Sequence, residues 1–253
     1  MSTKKSELKF MGVNSSNYED SKFVIVPVPH GDNVSWISGS EKAPQKVLEA
    51  SNELEHFDLL TLRNINDFKF YTYQNVKYKE LNKISKKIFQ DNKIPFFIGG
   101  DHSISIPIMK NLSEDVTILH LDAHLDMRES YLENKESHAC ALYEASKNHK
   151  VIHLGVRSAC EEDVMNVKKY NNLILNSLDM KQLLENLSDK VYITLDVDVL
   201  DPAYMPATGT PEPLGISYGN LLNIIISVCN NKKVVGMDIV ELCPREGLHF
   251  CDL

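Results

Sequence analysis

The stretch His120-Leu-Asp-Ala-His-Leu-Asp126 decides how this chain reads. It sets Asp122, His124 and Asp126 at i, i+2 and i+4. The run leading into it, Val116-Thr-Ile-Leu-His-Leu121, is β-branched and apolar and predicts a buried strand. A strand turns every second side chain the same way. At its C-terminal end, two carboxylates and an imidazole would therefore face one point. Such groups are seldom buried together without a positive charge beside them.

Two further stretches end in the same kind of residue. Val191-Tyr-Ile-Thr-Leu195 runs into Asp196-Val-Asp198, again at i and i+2. Earlier, Ile94-Pro-Phe-Phe-Ile98 runs into Gly99-Gly100-Asp101-His102-Ser103. In a parallel sheet, the C-terminal ends of such strands lie side by side, where ligands bind.

Strand-like and helix-like segments alternate along the rest of the chain. Strands are predicted over 23–29, 68–73, 94–98, 116–121, 151–156, 173–175, 190–195 and 234–240. Helices are predicted from Pro44, over 76–91, after His102 through Met109, from Ser137 to Leu142, around 160–170, from a Ser177 cap, and over 217–229. That alternation predicts an α/β fold, a mostly parallel sheet of eight strands with helices on both faces. A closed eight-fold barrel has the same element count and is the alternative. The 253 residues, 43% of them hydrophobic, suit one domain over 1–253 with one large core, and residues 1–20 read as a loose arm.

Composition narrows the function. A net charge of −8 argues against a nucleic-acid partner, which asks for a basic face. No apolar run reaches the ~20 residues of a membrane helix, and the N-terminus has no apolar signal core. Five cysteines without a CxxC pair predict reduced thiols and a cytoplasmic location.

The collected candidates are His102, Asp122, His124, Asp126, Asp196 and Asp198, four carboxylates and two imidazoles with no thiolate. Oxygen ligands with a few imidazoles suit Mn²⁺ or a similarly hard cation. Two divalent ions would balance four carboxylates, and such pairs activate water for hydrolysis. His138, in the loop after the cluster, is the candidate proton shuttle. Glu241, at the end of the last strand, is the candidate clamp for a cationic substrate. Asp101 and Asp201 read as turn formers. His120 reads as a core residue or as a neighbour behind the ligands and is left outside the cluster, and His30, His56, His149, His153 and His249 read as structural or exposed. Trp36, in the loop 30–41, reads equally as a pocket wall or as a pin for the loop.

These residues resemble the ureohydrolase family of agmatinases, arginases and their relatives, most of all agmatinase. The motifs are GGDHS at 99–103, DAHLD at 122–126, SHA at 137–139, LDVDVLDPA at 195–203, ATGTPEP at 207–213 and DIVELCP at 238–244. They stand in the family's order over roughly 20–245. The resemblance implies the three-layer arginase-type fold rather than a barrel, and two Mn²⁺ ions per chain. It implies one metal on His102, Asp122, Asp126 and Asp196, and the other on His124, Asp122, Asp196 and Asp198. Asp126 would also orient the attacking water, His138 would shuttle protons and Glu241 would bind the guanidinium. The implied reaction splits a small cationic guanidino substrate, agmatine first, into urea and an amine, in a homo-oligomer. Guanidinobutyrate and arginine are the nearest alternatives, and a non-catalytic relative is a third.

Two departures from the family pattern carry expectations. Ser35-Trp-Ile-Ser-Gly-Ser40 replaces the usual wording of the loop at 30–42, which bears on substrate length. The sequence given ends at Leu253, where the pattern adds a final helix, so one sheet face is expected to be open. A dinuclear phosphoesterase would want a Gly-Asn-His-Asp/Glu block and a single-zinc deacetylase a tandem His pair; neither is present.

Overall fold

The computed structural model describes residues 8–13, 16–32 and 35–252. In chain order the strands are β1 (Phe23–Val28), β2 (Phe57–Asp58), β3 (Arg63–Asn64), β4 (Phe70–Thr72), β5 (Ile94–Gly99), β6 (Val116–Leu121), β7 (Val151–Leu154), β8 (Leu173–Leu175), β9 (Lys190–Asp196) and β10 (Lys233–Val240). The α-helices are α1 (Ala43–Ser51), α2 (Tyr78–Gln90), α3 (Ser105–Met109), α4 (Glu161–Lys169), α5 (Met180–Asn186) and α6 (Tyr218–Asn231).

Eight strands form one open sheet in the order β4-β1-β5-β10-β9-β6-β7-β8, and every pairing in it is parallel. Strands β4 and β8 are free edges, so the barrel is excluded and the three-layer reading holds. Strands β2 and β3 make a separate antiparallel hairpin.

The central strands are buried along their length because helices cover both faces. All six residues of β6 are buried. Its alternation sends Ile118 to a core with Leu81, Ile88, Phe97 and Tyr192. Leu119 and Leu121 go to the opposite core with Leu183, Ile193, Leu221 and Ile224. Helix α2 fits the first face by spacing, with Leu81, Ser85 and Ile88 buried and Lys79, Lys83, Lys86 and Lys87 in water.

Some elements depart from expectation. The helix at 137–142 is a single 3₁₀ turn, His138–Cys140. Its neighbourhood is tied crosswise instead, Arg128 N–H donating to the Ala139 carbonyl and Leu142 N–H to that of Asp126. Helix α5 is capped by Asp179 rather than Ser177, its carboxylate accepting from Lys181 N and Gln182 N at 3.0 and 3.1 Å. The arm expected over 1–20 is docked where it is described. Met11 N–H donates to Ser51 Oγ at 2.9 Å, and Phe10 packs edge-on against Phe70. An apolar cavity of about 240 Å³ lies between α1, α6 and the sheet, lined by Val47, Leu195, Leu221, Ile225 and Ile239. No described helix is long and apolar enough to cross a membrane.

The last strand matters most for the site. Strand β10 inserts between β5 and β9, so four strands carrying candidate residues at their C-terminal ends are consecutive: β5, β10, β9, β6.

Candidate metal centre

Each candidate side chain is set by the end of its strand. After β5, the chain turns sharply at Gly100, where a Cβ would lie 1.9 Å from the His30 carbonyl oxygen; only glycine allows that approach. Asp101 then caps a 3₁₀ turn through Ser103 N–H, presenting His102. After β9, Asp196 caps the next such turn by accepting from Asp198 N–H at 2.8 Å. The turn residues read from sequence thus hold, and Asp201 likewise accepts from Ala203 N and Gly215 N.

The six predicted ligands converge. His102 Nδ1 lies 3.0 Å from Asp126 Oδ2, 3.2 Å from Asp122 Oδ2 and 3.8 Å from Asp196 Oδ2. His124 Nδ1 lies 3.0 Å from Asp198 Oδ2 and 3.4 Å from Asp122 Oδ1. Asp122 therefore stands between two imidazoles, one oxygen towards each. Donor atoms of Asp122, His124 and Asp198 fall within 4.8 Å of one another, as do those of His102, His120 and Asp122. His102, Asp122 and Asp198 are fully buried.

The electrostatics fit a divalent cation. His102 Nδ1 is buried without a hydrogen-bond partner of good geometry, yet it points at three carboxylates. Burial and the neighbouring carboxylates of Asp198 and Asp122 push Asp196 well above the ordinary range. Burial, with Asp122 next to it, also raises Asp198. Asp122 is held well below it: burial acts upward, but His120, His102 and His124 outweigh it. Burial pulls the imidazole of His124 down, yet hydrogen bonds to Asp122 and Asp198 push it up to about 12. Among the described residues, Arg128 in the wall of the adjoining cavity adds a fixed positive charge, and protons supply the rest of the counter-charge. Oxygen donors flanking two imidazoles suit hard divalent ions.

Beside the cluster lies a cavity of about 290 Å³, lined by His124, Asp126, Arg128, His138, Asp196 and Glu241. His138 reaches it with Nε2 2.8 Å from Ser35 Oγ. Glu241 sits opposite; its Oε1 accepts from His102 N–H at 2.8 Å and burial, with Asp101 nearby, raises its carboxyl well above 4.5. Both Asp126 (φ 51°) and Glu241 (φ 65°) adopt left-handed backbone, a costly conformation that clusters at functional sites. For Glu241 it is secured by its N–H donating to the Gly100 carbonyl at 2.7 Å. Trp36 is 72% exposed and is not part of the cavity wall.

Several residues were missed by sequence reading. His102 Nε2 is 2.9 Å from Thr194 Oγ1, which donates to Asp238 Oδ1 at 2.6 Å; Tyr192 OH donates to the other oxygen at 2.7 Å. Thr194 is two before Asp196 on one strand, so the period of two was the available signal. His120, read as core or as a neighbour behind the ligands, is the latter: its Nε2 lies 2.8 Å from Asp122 Oδ2. Arg157 had no signal; its guanidinium spans the carbonyls of Gly155, Asp198 and Glu212 and ties the two site loops together. Of the histidines read as structural or exposed, His153 and His149 are buried, while His249 is exposed.

Known proteins match over nearly the whole chain. The model of the arginase family matches residues 21–248. N(1)-aminopropylagmatine ureohydrolase of Thermus thermophilus is 30% identical over 259 residues, covering 94% of this chain and 88% of that protein. Agmatinase of Bacillus cereus is 33% identical over 252 residues, covering 90% and 86%. The crystal structure of agmatine ureohydrolase of Thermoplasma volcanium superposes with a TM-score of 0.84 at 27% identity, covering 94% and 87%.

Proposed function

The chain belongs to the arginase family of guanidino hydrolases, and we propose that it hydrolyses agmatine to putrescine and urea with two Mn²⁺ ions. The observation that carries this reading is one cavity shared by the carboxylate–imidazole cluster, His138 and Glu241. His102, Asp122, Asp126 and Asp196 would hold one ion; His124, Asp122, Asp196 and Asp198 would hold the other. Bound there, the pair supplies Lewis acidity and water of lowered pKa.

The chain's own residues do the rest. Glu241 accepts hydrogen bonds from the guanidinium and orients its carbon towards the cluster; the substrate's positive charge offsets the burial and the neighbouring Asp101 that raise this carboxyl. Asp126, at the cavity edge of the cluster, accepts a hydrogen bond from the attacking water. His138 supplies a proton to the departing amine by way of the Ser35 hydroxyl that its Nε2 meets at 2.8 Å: Nε2 gives its proton to that oxygen as the hydroxyl gives its own to the amine.

One observation favours a second substrate. Arg128 lines the cavity, and its Nε is 3.9 Å from Asp163, a loose pairing. A guanidinium there suits a carboxylate tail, as in guanidinobutyrate. Urea release by Mn²⁺-loaded protein separates these, with agmatine, N(1)-aminopropylagmatine, guanidinobutyrate and arginine tested side by side and metal measured on the same sample. Agmatine should give urea fastest. Faster release from guanidinobutyrate would transfer the reading to the acid, and two metals with no urea from any compound would reject the substrate class.

A further inference from the structure

Behind the cluster stand two fully buried histidines that the reaction does not use. Strands β6 and β7 pair in parallel with His120 directly opposite His153. Their rings meet edge to face, centroids 5.0 Å apart, with the two Nδ1 atoms 2.8 Å apart. On its far side, His120 Nε2 lies 2.8 Å from Asp122 Oδ2. His153 Nε2 has no hydrogen-bond partner among the described residues.

This geometry orders the protons. An ionised carboxylate only accepts, so His120 Nε2 donates to Asp122. A neutral imidazole has one donor and one acceptor, so His120 Nδ1 accepts and the shared proton belongs to His153 Nδ1. His153 Nε2 is then a bare acceptor. It is the one unpartnered atom of the pair, and no buried N–H is orphaned. Two apolar residues at these positions would fill the sheet without any polar group to satisfy. What the imidazoles add is a hydrogen bond at the Asp122 end. The other oxygen of Asp122 is already held by the backbone N–H of His124.

We propose that His153 and His120 form a brace, running from β7 through β6, that fixes the rotation of Asp122 and so the place it offers metal between His102 and His124. Both are positioning residues, and the inference rests on Asp122 being a metal ligand as proposed above. Groups that hydrogen-bond a ligand typically contribute about 10–100-fold to metal affinity.

The test combines imidazole ¹⁵N spectra of metal-free protein with Mn²⁺ affinity, read from the free-ion paramagnetic resonance signal, in His120→Phe, His120→Gln and His153→Phe. The spectra should show His120 as the Nε2–H tautomer and His153 as the Nδ1–H tautomer. His120→Phe should weaken Mn²⁺ binding by about 10–100-fold. His120→Gln, whose amide donates from nearly the same place, should recover most of that loss, and His153→Phe should lose less than His120→Phe. An Nδ1–H tautomer at His120 overturns the brace. So do unchanged affinities in both Phe variants with only the melting temperature lowered. If the Phe variants do not fold, the Gln variant and the wild-type spectra decide. Wild-type protein that binds no Mn²⁺ would reject the metal reading of the site, while the tautomers would still decide whether the brace exists.

Discussion

At the C-terminal ends of β5, β10, β9 and β6, five carboxylates (Asp122, Asp126, Asp196, Asp198 and Glu241) crowd around His102 and His124, all but His124 buried. At the opposite ends of the same strands, a cavity of about 480 Å³ is rimmed by Lys86, Lys93, Lys190 and Lys233. There each cation is paired or in water. Lys190 Nζ lies 2.7 Å from Asp115, Lys93 donates to the carbonyls of Glu19 and Ser21, and Lys86 and Lys233 are exposed. The lysine end is complete as it stands. At the carboxylate end, five buried acid groups face two imidazoles, and burial with neighbouring carboxylates raises Asp196, Asp198 and Glu241, so this end needs counter-charge, from protons or from bound cations.

The largest expected effect breaks the carboxylate end. Asp196→Ala removes a ligand proposed to face both ions. Metal content and urea release should both fall by more than the ~100-fold upper range for residues that merely orient a ligand. Retained activity with two bound metals would refute its role. His138→Asn is expected to lower turnover by about 10²–10⁴-fold, the usual range for a lost acid–base group, while metal content stays near wild type. Equal loss of both would sink the shuttle assignment.

Metal removal sharpens the comparison through stability. Loading at 1,000 times the dissociation constant should stabilise the fold over stripped protein by about 4 kcal/mol for each ion bound. Calorimetry should therefore show a higher melting temperature for loaded protein, by several degrees. The pH dependence should also reverse. In stripped protein, Asp196 and Glu241 titrate well above 3.8 and 4.5, chiefly because of burial. Their stabilising contribution is complete below those ordinary values and is lost as pH rises through the raised folded ones. With metal bound, the ligands stay ionised, so Asp196 adds stability as pH rises through the carboxylate range. Denaturation of both forms across pH 4 to 8 checks this; parallel slopes would contradict a cation at Asp196.

The smallest effect belongs to the lysine end. Lys190→Ala breaks a partly exposed ion pair, worth under about 1 kcal/mol, and urea release should stay near wild type. A large loss of activity would mean that the two ends are coupled.

Much of the site was legible because its signals are local. DAHLD, DVD and GGDH each follow a strand-like run, which marks them as strand-end groups; the expected period of two does not carry through them, because β6 ends at Leu121 and Asp122, His124 and Asp126 are gathered by the turn that follows, with Asp126 in left-handed backbone. Legibility failed where a residue's partner is distant in sequence. His153 looked structural because its neighbour His120 is 33 positions away. Arg157 joins carbonyls from 155 to 212, and backbone carbonyls leave no mark in a sequence pattern. The Ser177 cap was displaced by Asp179, a stronger acceptor two residues later.

By itself, the sequence determined which groups stand at the strand ends and that their chemistry favours hard cations, because residue type and strand period are properties of the local chain. Only the tertiary structure decided that β10, last in sequence, enters between β5 and β9. That insertion carries Glu241 to Gly100 and His102 and makes the four strand ends consecutive. The register that sets His120 against His153 was decided there too. Strand order and register follow from how helices pack over both faces at once, which no single stretch encodes.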